Sequence, residues 1–346
     1  MTRERIERTF CAFTRPLALC AVVLAGTAAL IGACAPHGVE TPAPSSRGGI
    51  APPSAPTPST KSPEAPRGAA EGAALAPIPA DFEVRYLANE GFLLEAGGRR
   101  VLIDGLFGAG IGGYPAVPPE LRAQLEAGTG AWGGIEVALA SHFHGDHFAA
   151  GAVARFLESN PQAVFVSTPQ AIQRLGAHLT AEDAVAGTNR IRLLARVRSV
   201  LPVEGSTRRL EFDGIEIEIF NLHHGRREPP VENLGLIVSV EGIRFLHLGD
   251  TEAKLETFEP YLEKLRGVDV ALLPFWFLSS EWRAEMVRDR IRPGSIVVAH
   301  LPEPDAPTSH FGRWNDYDDL VRSLGAAFPE ARIPTAAGER IRFDGG

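Results

Sequence analysis

Short apolar runs separated by Gly-rich and Pro-rich turns occupy the chain from about residue 82 to its end. Such runs predict strands, and apolar positions spaced three or four residues apart predict helices. The predicted strands are 83–88, 91–96, 100–104, 135–140, 163–167, 190–200, 208–212, 214–222, 233–240, 243–250, 269–273, 295–300 and 339–343. The predicted helices are 119–127, 148–157, 168–175, 255–265, 282–289 and 314–328. This mixture predicts a domain of the α/β class.

The apolar strand at 135–140 ends in the densest group of metal-binding side chain types in the chain, Ser141-His142-Phe143-His144-Gly145-Asp146-His147. Side chains two residues apart at a strand end point the same way, so His142 and His144 can close on one cation. The turn at Gly145 redirects Asp146 and His147 toward a second cation. Imidazole and carboxylate suit zinc and its neighbours, and the absence of thiolate excludes a zinc finger.

This H-x-H-x-D-H run resembles the hallmark of the metallo-β-lactamase-fold hydrolases, and the chain has five of that family's motifs in order over about residues 82–345. The resemblance implies a four-layer αβ/βα sandwich with two mixed β-sheets and a metal site at one edge. It also implies that Asp104 supports the histidine loop without binding metal. The implied ligands are His142, His144 and His224 for one ion, Asp146, His147 and His300 for the other, and Asp250 between the two.

Several polar residues near these motifs have a second interpretation. Asp104 could instead cap a turn, and His223 is an alternative to His224 as the ligand, because adjacent side chains diverge. We interpret His247 as a core histidine, since it lies inside the strand that precedes Asp250. We interpret His310 as a surface histidine, with a substrate contact as its alternative role.

Two segments that follow predicted strands are expected to line the site. One is the Gly- and Pro-rich loop 105–119, which includes Tyr114 and is either a lid or a long connection. The other is the aromatic cluster Pro274-Phe275-Trp276-Phe277-Leu278, for which core packing is the alternative.

The N-terminal region predicts export. Four arginines and then an apolar run to residue 33 form the pattern of a signal peptide, and the ending Ile31-Gly32-Ala33-Cys34 resembles a bacterial lipobox. Residues 1–33 are therefore predicted to be cleaved and Cys34 to carry lipid, with an ordinary signal peptide or an uncleaved anchor as alternatives. Residues 34–80 are rich in Pro, Ala and Ser and predict a disordered tether. Residues 81–346 are the predicted catalytic domain, held in the bacterial cell envelope in the periplasm or at the outer surface.

Composition limits the stabilising bonds and the partners. The cysteines are Cys11, Cys20 and Cys34, so the predicted domain has no internal disulfide. The net charge is -8, and removal of four Arg and two Glu with residues 1–33 makes it -10. An acidic chain without an extended basic run is a poor partner for long nucleic acid. The expected partners are a small-molecule substrate and, through the lipid, the membrane.

The resemblance implies a hydrolase with two divalent ions, zinc first and manganese or iron as alternatives. Two ions lower the pKa of a shared water toward ~7, which yields a hydroxide nucleophile. Asp146 and Asp250 are the predicted catalytic carboxylates, and an ester, lactone or phosphodiester is the predicted substrate. The chain looks most like the branch of ascorbate-phosphate-lactonase-like and phospholipase-D-like members. The alternatives are an iron-dependent dioxygenase on the same fold and a β-lactam-hydrolysing enzyme.

Overall fold

The computed structural model describes residues 82–108, 110–181, 187–225 and 230–343. The predicted signal peptide, the tether and Cys34 lie outside the described residues. Within these ranges, no helix is both long enough and apolar enough to cross a membrane.

The described residues form strands and helices close to most of the predicted ranges. The strands are β1 (Phe82–Ala88), β2 (Gly91–Ala96), β3 (Arg99–Ile103), β4 (Val137–Leu139), β5 (Val164–Ser167), β6 (Val197–Ser199), β7 (Thr207–Phe212), β8 (Ile215–Asn221), β9 (Leu234–Val240), β10 (Ile243–His247), β11 (Val270–Pro274), β12 (Ser295–Ala299) and β13 (Arg340–Arg342). The helices are α1 (Pro119–Ala127), α2 (Ala150–Ser159), α3 (Pro169–Ala181), α4 (Gly187–Leu194), α5 (Leu255–Phe258), α6 (Leu262–Leu265), α7 (Glu281–Glu285) and α8 (Tyr317–Ala327). Pro119 and Pro169 begin α1 and α3, where the missing N–H of proline has no intrahelical partner to lose.

Two mixed sheets make up the centre of the fold. The first has the order β13-β1-β2-β3-β4-β5-β6, and the second has the order β12-β11-β10-β9-β8-β7. Strands β3 to β6 are parallel to one another, as are β10 to β12, whereas the other neighbouring pairs are antiparallel. The fold class predicted from the sequence is confirmed.

Three apolar clusters separate the layers. One lies between the sheets and includes Phe92 and Leu94 from the first sheet and Ile217 and Phe245 from the second. A cluster with α1 to α4 covers the outer face of the first sheet, and a cluster with α5 to α8 covers the outer face of the second. The result is four layers, helices on sheet on sheet on helices. The alternation in β8 follows from this, because its isoleucines are buried between the sheets while Glu216 is exposed.

The strand predicted over 190–200 is confirmed only at its C-terminal end and is wrong for the first half. This segment forms the end of α4 and then the short strand β6. Leu193 is 1% exposed whereas Ile191 is 69% exposed, so one side of a helix faces the core and the other faces solvent. A short run with few apolar residues fits both a strand and a helix by periodicity, and packing against α2 selects the helix here.

Two predicted helices are less regular than expected. The helix predicted over 255–265 is two single turns, α5 and α6, joined by a 3₁₀ turn at Glu259–Tyr261. The helix predicted over 282–289 is α7 followed by a π-helical segment at Met286–Ile291. Pro260 lies inside the 3₁₀ turn, and its missing N–H explains the interruption of the first of these helices.

Candidate metal centre

Five strands bring the predicted site residues to one edge of the fold. β3 leads into Asp104, β4 into residues 141–147, β8 into His224, β10 into Asp250 and β12 into His300. In the second sheet, β8 and β10 run the same way because both are antiparallel to β9, and β12 is parallel to β10 through β11. The carboxyl ends of parallel strands share one edge, which is where ligands of such sheets collect.

The first cluster consists of three imidazoles and one carboxylate. His142 Nε2 lies 2.9 Å from His144 Nδ1 and 3.2 Å from His224 Nε2. Asp250 Oδ2 lies 3.3 Å from His224 Nε2 and 3.8 Å from His142 Nε2. All four donor atoms lie within 4.8 Å of one another, so a single cation could contact them all.

The second cluster uses the other oxygen of the same carboxylate. Asp250 Oδ1 lies 3.2 Å from His147 Nε2 and 3.1 Å from His300 Nε2. Asp146 Oδ2 lies 3.7 Å from each of these two ring nitrogens. Asp250 therefore faces both clusters with one oxygen each, which is the arrangement expected of a bridging carboxylate.

The chemistry and spacing of these atoms fit metal ions. Zinc–nitrogen bonds of about 2.0–2.1 Å place the donors of a tetrahedral site about 3.3 Å apart, close to the separations observed here. Asp146 Oδ1 and His300 Nε2 are buried and make no hydrogen bond within the described residues. Buried polar atoms without a partner are costly, and bound cations would satisfy them.

A hydrogen-bond network beneath the clusters sets the ring orientations. Asp104 is fully buried; its Oδ1 accepts from Ser141 N at 2.6 Å, and its Oδ2 accepts from Ser141 Oγ at 2.6 Å and from His147 Nδ1 at 2.8 Å. Ser141 Oγ also lies 3.0 Å from His142 Nδ1. With a proton held on Nδ1, each of these two histidines presents the lone pair of Nε2 to the site. Asp104 thus occupies the position of a supporting residue outside the clusters.

Burial and charge set the protonation states around Asp250. Burial disfavours its ionisation, but the charges of His300 and His147 outweigh this and hold the pKa of Asp250 well below its usual range. Burial also lowers the pKa of His142, which favours the neutral form that binds metal. For His147, burial lowers the pKa, but the charges of Asp250 and Asp104 outweigh burial and hold the pKa well above its usual value. A cation that binds His147 must therefore displace a proton.

The structure separates the histidines that the sequence left open. His224 is 9% exposed and lies in the first cluster, whereas the side chain of His223 is 58% exposed and contacts Glu204 Oε1 at 3.1 Å. His247 is buried, and its Nε2 lies 3.0 Å from the backbone oxygen of Glu90. The position of His247 matches the predicted core histidine.

Two residues near the clusters were missed by the sequence analysis. Asn89 donates from Nδ2 to Asp146 Oδ2 at 3.2 Å, which orients that carboxylate. Glu90 is 1% exposed, lies near His147 and Asp250, and has both side-chain oxygens without a hydrogen bond in the described part of the chain. Burial, with the charge of Asp250, raises the pKa of Glu90 well above its usual value. The only sequence signal for these two residues is that they form a polar pair at the end of β1. Because β1 is parallel to β3, that end lies at the same edge of the sheet as Asp104.

Aromatic side chains form one wall beside His300. The ring centroids of Tyr114 and Trp276 lie 4.4 Å and 4.9 Å from that of His300. His310 also packs against Tyr114, with 5.2 Å between ring centroids. Phe275 and Phe277, the neighbours of Trp276, are buried in the core, so the aromatic cluster is shared between wall and core.

The comparisons with known proteins agree with the fold. The profile of the β-lactamase superfamily domain matches residues 99–306. The metallo-beta-lactamase fold protein YhfI from Bacillus subtilis superposes with a TM-score of 0.50 at 11% identity, covering 76% of this chain and 100% of that one. The isothiocyanate hydrolase from Delia radicum gut bacteria has a TM-score of 0.49 at 16% identity, with 76% and 100% covered. A possible metal-dependent hydrolase from Veillonella parvula DSM 2008 has a TM-score of 0.48 at 14% identity, with 75% and 99% covered.

No protein in a search of curated sequences matches this chain. The family prediction rests on the profile, which spans more than half of the 346 residues. Together with the fold shared with YhfI, it establishes that the chain belongs to the metallo-β-lactamase superfamily.

Proposed function

We propose that this chain is a dinuclear hydrolase of a small ester, lactone or phosphodiester. The observation that carries the proposal is Asp250, whose two oxygens each face a separate group of imidazoles. Zinc is the proposed metal, because imidazole and carboxylate are its usual ligands in metalloenzymes, with manganese and iron as the alternatives that such sites also accept.

The chain would hold one ion with His142, His144 and His224 and the other with Asp146, His147 and His300, with Asp250 between the two. Bound divalent cations lower the pKa of water toward ~7 and stabilise negative charge that develops on a substrate oxygen. Other residues of the chain orient these ligands and shield them from solvent. Asp104 keeps the proton of His147 on Nδ1, Asn89 orients Asp146, and Tyr114 and Trp276 limit access of solvent to His300.

The decisive experiment measures metal and activity in the same preparation. The full-length chain, purified in detergent, is analysed for metals by mass spectrometry and assayed with phosphodiester, lactone and β-lactam substrates. We expect about two zinc ions per chain. The Asp146→Asn variant should lose one of these ions and should no longer hydrolyse the substrate. Asp318→Asn, an exposed position on α8, is the matched control and should change neither.

Other outcomes of that experiment contradict the proposal in distinct ways. Iron without hydrolysis would favour a dioxygenase on the same fold. Hydrolysis of the β-lactam alone would move the substrate class to β-lactams. Full hydrolysis in a metal-free preparation, or in Asp146→Asn, would overturn the dinuclear mechanism.

We propose further that the chain is a lipoprotein of the bacterial cell envelope. Support comes from the lipobox-like Ile31-Gly32-Ala33-Cys34 after an apolar run. Cells fed with radiolabelled palmitate should label the wild-type chain and a Cys20→Ser control, and should not label Cys34→Ser. Equal labelling of all three would exclude lipidation at Cys34.

A further inference from the structure

Arg283 lines the same cavity as two of the proposed metal ligands. This cavity of about 390 Å³ also includes His224, Asp250, Thr251 and Trp276 in its lining. Nothing in the proposed mechanism uses this arginine. A guanidinium beside a reaction site is suited to binding a substrate anion.

Arg283 makes no direct ion pair with a carboxylate of the described residues. Its Nη1 donates to the backbone oxygen of Trp276 at 3.2 Å and to Ser279 Oγ at 3.0 Å, which are both neutral acceptors. Its Nε is buried and has no hydrogen bond, and no carboxylate of the described ranges lies within ion-pair distance of it. Glu252, which also lines the cavity, is near enough for its charge to act on Arg283, but its carboxylate pairs with Lys254 Nζ at 2.6 Å. The guanidinium therefore has no carboxylate in direct contact with it.

The position of Arg283 is fixed relative to the clusters. It is held by the backbone of Trp276, and the ring of Trp276 packs against His300. The guanidinium carbon also lies 5.0 Å from the ring centroid of Trp282, which restricts its orientation. Burial lowers the pKa of Arg283, and the charge of Glu252 offsets this only in part, so a further anion at the guanidinium would favour its charged form.

We propose that Arg283 binds an anionic oxygen group, a carboxylate or a phosphate-type group, on the substrate, while the bond to be cleaved lies at the metal centre. The inference rests on the proposed hydrolase and narrows its substrates to anionic small molecules. Two N–H groups of a guanidinium match the two oxygens of such a group, which an ammonium does not.

The test uses three para-nitrophenyl esters of equal acyl length whose far end is a methyl, a carboxylate or a phosphonate group. We expect the wild-type full-length chain to hydrolyse one of the two anionic esters with a higher kcat/KM than the methyl ester. Comparison of the carboxylate ester with the phosphonate ester shows which anionic group is recognised. Arg283→Gln should lower kcat/KM for that ester about 10- to 100-fold, mainly through KM, and change the methyl ester less than about twofold. Arg283→Lys should recover only part of the loss.

Arg288→Gln is the matched control, because Arg288 pairs with Glu281 and does not line this cavity. It should leave all three esters unchanged. An equal fall for all three esters in Arg283→Gln, or no fall for any, would overturn the proposal.

Failure of the proposed function gives a different result from failure of this inference. If the wild-type chain hydrolyses none of the esters, calorimetry with glutarate and with inorganic phosphate measures binding directly. The inference then requires at least about tenfold weaker binding of one anion to Arg283→Gln at unchanged metal content. Equal binding by both chains would reject it.

Discussion

Replacing Asp104 by asparagine tests whether a residue outside the clusters controls metal binding. Asp104 has a φ of 45°, a left-handed conformation that asparagine also tolerates, so Asp104→Asn changes charge with little added backbone strain. The carboxylate accepts three buried hydrogen bonds, from Ser141 N, Ser141 Oγ and His147 Nδ1. An asparagine side chain places one oxygen and one NH₂ group in the same space. The oxygen can accept hydrogen bonds, but the NH₂ group must face at least one of the three donors and cannot accept from it.

The structure gives the expected magnitude. A hydrogen bond to a buried charged group contributes about 1.5–3 kcal/mol, and at least one of the three is lost. We therefore expect Asp104→Asn to lower the free energy of unfolding by about 2–4 kcal/mol. The His147 ring also loses the acceptor that fixes its proton on Nδ1, so metal affinity should fall about 10- to 100-fold.

Urea denaturation measures the first quantity, and competition with a chromophoric chelator measures the second. Asp316→Asn is a control for the loss of one carboxylate charge at an exposed position, since Asp316 caps α8 by accepting from Asp319 N and the amide oxygen of asparagine can still accept that bond. It should leave metal affinity unchanged. If Asp104→Asn bound metal as tightly as the wild-type chain, the supporting role of Asp104 would be refuted.

Three further changes follow from the same structure. His224→Ala should remove an ion measured by mass spectrometry, whereas His223→Ala should retain the wild-type metal content; the reverse result would show that the two assignments are exchanged. Phe245→Ala, at a fully buried position between the sheets, should cost about 3–5 kcal/mol in urea denaturation, and a loss below about 1 kcal/mol would contradict the packing. Gly249→Ala should lower stability and metal content together, because its Cβ would lie 2.4 Å from the amide oxygen of Asn233. Gly98→Ala is the comparison, because Gly98 also has a positive φ, 81° against 55° for Gly249, and has no atom within 4 Å of an added Cβ; equal effects of the two substitutions would rule out the clash.

The sequence predicted the parts of the site that depend on local spacing. The pairing of His142 with His144 was predicted from their two-residue spacing, and the structure brings the two rings together even though both lie in bends after β4, which ends at Leu139. His224 could be preferred over His223 only by resemblance, because adjacent residues point apart and nothing local says which one faces the site. The contact of His224 with His142 spans 82 residues of sequence.

Long-range packing explains what the sequence did not predict. Asn89 and Glu90 form a polar turn between two apolar strands. From the sequence pattern alone, such a turn is predicted to be a solvent-exposed connection. The turn is buried because β1 and β3 run the same way and end beside residues 141–147. The error over 190–200 has the same origin, since only contact with α2 distinguishes a helix with one buried leucine from a strand.

Each proposed ion position draws ligands from both sheets. In the first sheet, the loop after β4 supplies His142 and His144 to one cluster and Asp146 and His147 to the other. The second sheet supplies the remaining side chains of both, including the shared carboxylate. Backbone hydrogen bonds also cross between the sheets at this edge, from Leu234 N to the oxygen of Ser141 and from His300 N to that of Asn89, each at 3.0 Å. Bound cations would therefore join the two sheets where these bonds already do, and metal binding should stabilise the packing between the sheets as well as the loops that carry the ligands.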